Sequence, residues 1–179
     1  YVSVSNLVNN SGVVATDVSG VGTARNGLGG AEYGVGLAIF GYGYNTSRLS
    51  LTNLVTNVGV VGSDVSGVGT VRYALSAATY GTDKAIFGYG TAGPSGLSMT
   101  NLVSNSGVVA SDTSGVGTGR SGSNAARYGG DKAIFAYGYS GGYVSMSNLV
   151  NTSGVVASDV SGVGTARAEL SAAGYSTSA

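Results

Sequence analysis

Residues 5–25 read SNLVNNSGVVATDVSGVGTAR. The string returns as TNLVTNVGVVGSDVSGVGTVR at 52–72, TNLVSNSGVVASDTSGVGTGR at 100–120 and SNLVNTSGVVASDVSGVGTAR at 147–167. These starting positions set a period of 47, 48 and 47 residues, and self-similarity at such a period marks a repeat architecture. Between the strings lies a second element, LAIFGYGY at 37–44, KAIFGYG at 84–90 and KAIFAYGY at 132–139. Each is preceded by an Ala/Tyr/Gly segment such as ALSAATYGTD at 74–83.

No apolar stretch keeps a 3.6-residue period for the ten or so residues that a helix needs. Before each NLV the apolar residues instead alternate with Ser or Thr: Val2 and Val4, Leu49 and Leu51, Leu97 and Met99, Val144 and Met146. That is the period of a strand with one buried face. With GVV, AIFGYG and the LSAA-type segment, the pattern predicts an all-β chain of tandem four-stranded repeats of about 47 residues, one antiparallel sheet per repeat. Strand centres are expected at Val4, Val13, Ile39, Leu51, Val60, Ile86, Met99, Val108, Ile134 and Met146. The repeats run roughly 1–36, 37–83, 84–131 and 132–179, starting and ending inside a repeat. A third-type strand at Tyr1–Asn6 opens the chain and a first-type strand at Ala172–Tyr175 closes it, so one AIFGYG strand is missing. This count fits a defective four-blade ring, an open array, or, the favoured reading, a segment of a longer propeller.

The order of elements resembles the kelch repeat. In that family an Arg opens the repeat, a Lys-Ile-Tyr type strand ends in a glycine pair, and two further strands follow. Here Gly88, Tyr89 and Gly90 stand at the glycine pair and Val108 and Val109 where a tryptophan is expected, so the resemblance implies a kelch-like β-propeller. The repeats are also similar to those of virion proteins of marine bacteriophages, which implies an extracellular or virion location. The rival architecture is a filament of stacked β-repeats, because low charge, Val-rich strands and few prolines favour strand pairing between molecules.

Composition narrows the chemistry. The chain of 179 residues has no His, Cys or Trp, 33 Gly, and eight basic against eight acidic side chains. Disulfides, His/Cys metal sites and His or Cys catalysis are excluded. The copper ligands of a kelch-type oxidase are missing with them. A charged fraction of 9% gives no basic surface for nucleic acid, and no apolar run reaches the roughly 20 residues of a membrane-spanning helix. Gly-Val-Gly-Thr-Ala-Arg at 20–25 lacks the third Gly and helix of a dinucleotide site and the Gly-Lys-Ser/Thr of a P-loop, and reads as a turn. No cofactor or metal is expected, since one aspartate per loop is too little for calcium.

Each string carries one carboxylate and one guanidinium eight residues apart: Asp17 with Arg25, Asp64 with Arg72, Asp112 with Arg120, Asp159 with Arg167. A role repeated in every unit points to architecture, an ion pair or turn cap that pins strands. Asn6, Asn53, Asn101 and Asn148 are expected to satisfy backbone groups between units. Tyr44, Tyr139 and Tyr143, near the variable loops, are the candidates for contact with another molecule, since each offers a ring face and a hydroxyl. The expected function is a non-catalytic structural or adhesive module, partnered by copies of itself, by further repeats of the same chain, or by a cell-surface or virion component. A self-assembling extracellular filament subunit is the alternative.

Overall fold

The computed structural model describes residues 1–174. The expected Ala172–Tyr175 strand and the end of the 132–179 repeat therefore lie partly outside the described residues. The chain is all-β, with no helix among the described residues. Three antiparallel sheets follow one another: β1 (Gly29–Tyr33), β2 (Leu37–Asn45) and β3 (Ser47–Val55); β4 (Ser76–Tyr80), β5 (Lys84–Gly88) and β6 (Thr100–Val103); β7 (Asn124–Tyr128), β8 (Lys132–Tyr139) and β9 (Tyr143–Val150). Equivalent residues hold equivalent registers: Ile39 faces Ala31 and Leu54, Ile86 faces Ala78 and Leu102, and Ile134 faces Ala126 and Leu149.

The sheets stack through their first strands. Thr79 Oγ1 donates to Glu32 O at 2.8 Å and Ser76 Oγ to Ser123 O at 2.7 Å, each spanning one repeat. The apolar residues form one layer per junction. Tyr33, Ile39, Tyr42, Leu75, Ala85, Phe87 and Val103 fill the first, and Tyr80, Ile86, Tyr89, Ala133, Phe135 and Val150 contribute to the second. A central strand is covered on both faces, so AIFG reads as a continuous apolar run instead of an alternating one. Ala85, Ile86 and Phe87 are all fully buried.

Close stacking depends on glycine opposite phenylalanine. A Cβ at Gly41 would come within 2.7 Å of Phe87 Cζ, and one at Gly88 within 2.7 Å of Phe135 Cζ. Phe87 and Phe135 are sealed in these sockets, whereas Phe40, with no complete sheet before it, is 38% exposed.

Each sheet has three strands, not the expected four. The GVV segment is attached only by isolated bridges, Val55 to Val61 and Thr52 to Val65 in the first sheet, with equivalents at Val103/Val109 and Val150/Val156. Between the two bridges the inner strand advances three residues and the outer one four, a bulge that interrupts the ladder. The side chain of Asn53 fills the gap, donating to Gly62 O at 3.0 Å. Hence Val60 and Val108 belong to no strand, and neither does Val13. Val4 is likewise outside any strand: Tyr1–Asn6 makes a single bridge, Ser5 to Val18, because no central strand lies beside it. Ala172–Gly174 is not a strand either, for want of the same partner. Met99 falls one residue before β6, which the 91–96 loop with its single proline delays. The boundaries at 36/37, 83/84 and 131/132 coincide with the turn between the first and second strands of each sheet.

Candidate functional site

The repeated charged residues meet, but not as pairs eight apart. The carboxylate beside Arg25, Arg72 and Arg120 comes from the following string. Arg25 Nη1 lies 3.8 Å from Asp64 and Arg72 Nη1 3.8 Å from Asp112. Asp17, by contrast, accepts from Asn6 Nδ2 at 2.8 Å.

The three junctions share the same asparagine and threonine contacts to the aspartate. Asn53 Nδ2 donates to Asp64 Oδ1 at 2.9 Å, as Asn101 does to Asp112 and Asn148 to Asp159. The preceding string then supplies a threonine. Thr23 donates its backbone N–H and its hydroxyl to Asp64, the latter at 2.7 Å, and Thr70 and Thr118 do the same to Asp112 and Asp159. Arg25 Nη2 donates to Asn53 Oδ1 at 2.6 Å and Arg72 Nη2 to Asn101 Oδ1 at 2.6 Å. In the third junction Arg120 Nη2 turns to Phe135 O at 3.4 Å, leaving Asn148 Oδ1 buried without a partner.

The arginines are held from the other side by tyrosine. Tyr42, Tyr89 and Tyr137 sit at a bulge with φ of 65°, 64° and 60°, and the glycine after each takes φ between 90° and 120°. An aromatic residue in this region is strained. The bend turns each ring inward, where the guanidiniums of Arg72, Arg120 and Arg167 lie 4.1, 3.9 and 3.8 Å from the ring centroids. Such stacking, with Tyr42 Oη–H bonded to Val68 O at 3.1 Å, offsets the backbone cost.

Burial pulls the Arg72 guanidinium below its ordinary value, with the Tyr42 and Asp112 contacts opposing. It stays charged, because a guanidinium keeps its proton in proteins. Burial would raise the Asp64, Asp112 and Asp159 carboxyls, yet hydrogen bonds from threonine and asparagine and the nearby arginine outweigh it and hold all three below the usual range. Each of these carboxylates accepts from one threonine and one asparagine. Among the described residues no three His, Cys, Asp or Glu converge.

The tyrosine candidates lie along the edge formed by the variable loops. Tyr44 is half-buried, with its centroid 6.3 Å from that of Tyr1 and 5.4 Å from that of Tyr73. Tyr139 and Tyr143 pack edge to face at 5.8 Å and are 47% and 66% exposed. Between the two groups runs an open groove of about 500 Å³ lined by Tyr73, Thr91, Pro94, Ser121 and Tyr139. Thr91 stands where the other repeats carry Tyr44 and Tyr139, which interrupts the row. The sequence reading missed Tyr1, the counterpart of Tyr143 in the repeat (YVSVSNLV at 1–8, YVSMSNLV at 143–150), and Tyr73, which has no equivalent in the other repeats. It also missed the threonine two residues before each arginine, although its fourfold recurrence was a usable signal. Gly22, Gly69, Gly117 and Gly164 in these turns adopt φ between 73° and 76°.

Compared with known protein families and with curated proteins, the chain matches none.

Proposed function

We propose that the chain is a non-catalytic structural or adhesive β-repeat module of an extracellular or virion assembly, its repeats forming a segment of a kelch-like propeller. The observation that carries this reading is the use made of the buried charges. Arg25, Arg72 and Arg120 lie in the same kind of contact between successive units, and the aspartates facing them are occupied by threonine and asparagine donors. A group tied into every junction serves stacking. The chemistry left facing outward is the tyrosine edge, which suits adhesion to a cell-surface or virion component. Copies of the chain or further repeats are the other partners, and neither nucleic acid nor membrane insertion belongs to this reading.

The filament reading is favoured by one feature, the outer GVV edge. Val13, Val60, Val108 and Val155 recur on it at the repeat spacing, each about three-fifths or more exposed. An edge of this kind invites pairing with another chain.

Thermal unfolding separates architecture from recognition. Arg72→Ala is expected to lower Tm, while the double substitution Tyr139→Ala, Tyr143→Ala leaves Tm in place and reduces adhesion of labelled protein to bacterial cells. An Arg72→Ala protein with unchanged Tm and lost adhesion would turn the arginine ladder into a binding site and overturn the proposal.

A further inference from the structure

The geometry points to a second copy of this chain as the partner of its two ends, docked head to tail through residues 147–167 of one copy and 5–17 of the next. This deepens the structural-module reading, on which it rests, by naming the contact.

Two interactions recur at every internal junction between successive strings, and a third joins them at the first two junctions. A leucine enters the space over a glycine: a Cβ at Gly59 would meet Leu7, one at Gly107 would meet Leu54, and one at Gly154 would meet Leu102. A threonine donates to an aspartate, as Thr23 does to Asp64. An arginine donates to an asparagine, as Arg25 does to Asn53 and Arg72 to Asn101.

The last string presents the donor half of this set without its receiver. Leu149 is 39% exposed. Among the described residues Thr165 has no side-chain partner, and the side chain of Arg167 makes one hydrogen bond, to Thr165 O at 3.0 Å. Arg167 is nevertheless held 3.8 Å over Tyr137, in the stance of the interior arginines. The first string presents the receiving half. Nothing lies within 4 Å of a Cβ built on Gly12. Asn6 Nδ2 already clasps Asp17 at 2.8 Å, which leaves Asn6 Oδ1 and the outer Asp17 oxygen facing solvent.

The ends therefore match group for group: Leu149 to Gly12, Thr165 to Asp17, Arg167 to Asn6. The two strings differ only at Asn10/Thr152 and Thr16/Ser158, so the receiving surface is the one each interior string offers. Such a junction brings no central strand, and hence no phenylalanine, onto β8. At that place β8 carries Ala136 where β2 and β5 carry Gly41 and Gly88. The methyl group occupies room that the interior sockets leave for a ring. Because the two surfaces are different, the contact is heterologous and propagates unless a ring closes.

Sedimentation velocity of the 179-residue chain over a wide concentration range tests this. The mass is expected to climb above the 17.4 kDa of one chain as concentration rises. R167E and L149E, at exposed positions and checked for unchanged unfolding midpoints, are each expected to sediment as monomers. D17K alone is also expected to stay monomeric. An equimolar mixture of R167E and D17K is expected to regain association, since Arg167 of the D17K chain meets Asp17 of the R167E chain, and the two substituted side chains carry opposite charges where they meet. A wild-type chain that stays monomeric throughout, or association that neither R167E nor L149E reduces, overturns the inference. The melting behaviour of Arg72→Ala is an interior property, so a monomer whose ladder still governs Tm would remove this contact and leave the structural-module reading standing.

Discussion

Strings 5–25 and 100–120 share most of their residues and occupy opposite surroundings. In both, the asparagine side chain makes the same clasp: Asn6 bonds Ala15 O at 3.0 Å and Asp17 at 2.8 Å, and Asn101 bonds Ala110 O at 3.0 Å and Asp112 at 2.9 Å. Yet Asn6 is exposed and Asn101 fully buried. Asp112 takes two donors from Thr70; Asp17 has no threonine across from it among the described residues. The clasp is thus local, formed wherever the string folds. Burial, the arginine and the threonine come from the next unit. Substitutions at equivalent positions should therefore cost very different amounts, according to whether a neighbour is present.

The largest difference is expected at the phenylalanines. Phe135→Ala empties a sealed socket and should cost about 3–5 kcal/mol. Phe40→Ala, on the open first sheet, should cost less than half of that. Urea unfolding of the two variants decides the point, and equal losses would mean that stacking is not where the stability resides.

The arginines come next. Arg72→Ala removes a fully buried guanidinium, its bond to Asn101 and its stacking on Tyr42. The loss should be about 3 kcal/mol, at the low end for breaking a buried ion pair because Asp112 keeps some solvent. Arg167→Ala, on an exposed residue, should change the monomer by no more than about 0.5 kcal/mol. The same unfolding measurement compares them.

A smaller contrast lies in the sockets. Gly88→Ala puts a methyl group against Phe135 and should destabilise by about 1–3 kcal/mol. Ala136→Gly, with no ring to receive, should cost no more than about 1 kcal/mol, the backbone entropy of glycine. Comparable losses would show that the third sheet is packed like the first two.

The smallest effect is expected from pH. Asp64, Asp112 and Asp159 titrate below their unfolded values, so their contribution is present above the ordinary carboxylate range, about pH 4. It is lost as the pH falls through the lowered values. The urea midpoint should be flat from about pH 7 to 5 and decline below about 4. Asp112→Asn should make that decline shallower, and an unaltered profile would remove the junction carboxylates as its source.

Sequence alone carries the all-β class, the repeat period and the strands around Ile39, Leu51, Ile86, Ile134 and Met146, because alternation and apolar runs are local properties held within one segment. It could not determine which aspartate meets which arginine. Asp64 lies eight residues from Arg72 and far from Arg25, yet stacking sets it against Arg25, and four near-identical strings give no sign of which copy faces which. Nor did the words GVV reveal that the fourth strand is reduced to bridges, since that follows from an asparagine side chain lodged in a bulge between two strands. Only the stacked structure distinguishes Gly88 from Ala136: the first faces a phenylalanine supplied by another unit and the second does not, and contact across units is decided by packing, which no single repeat encodes.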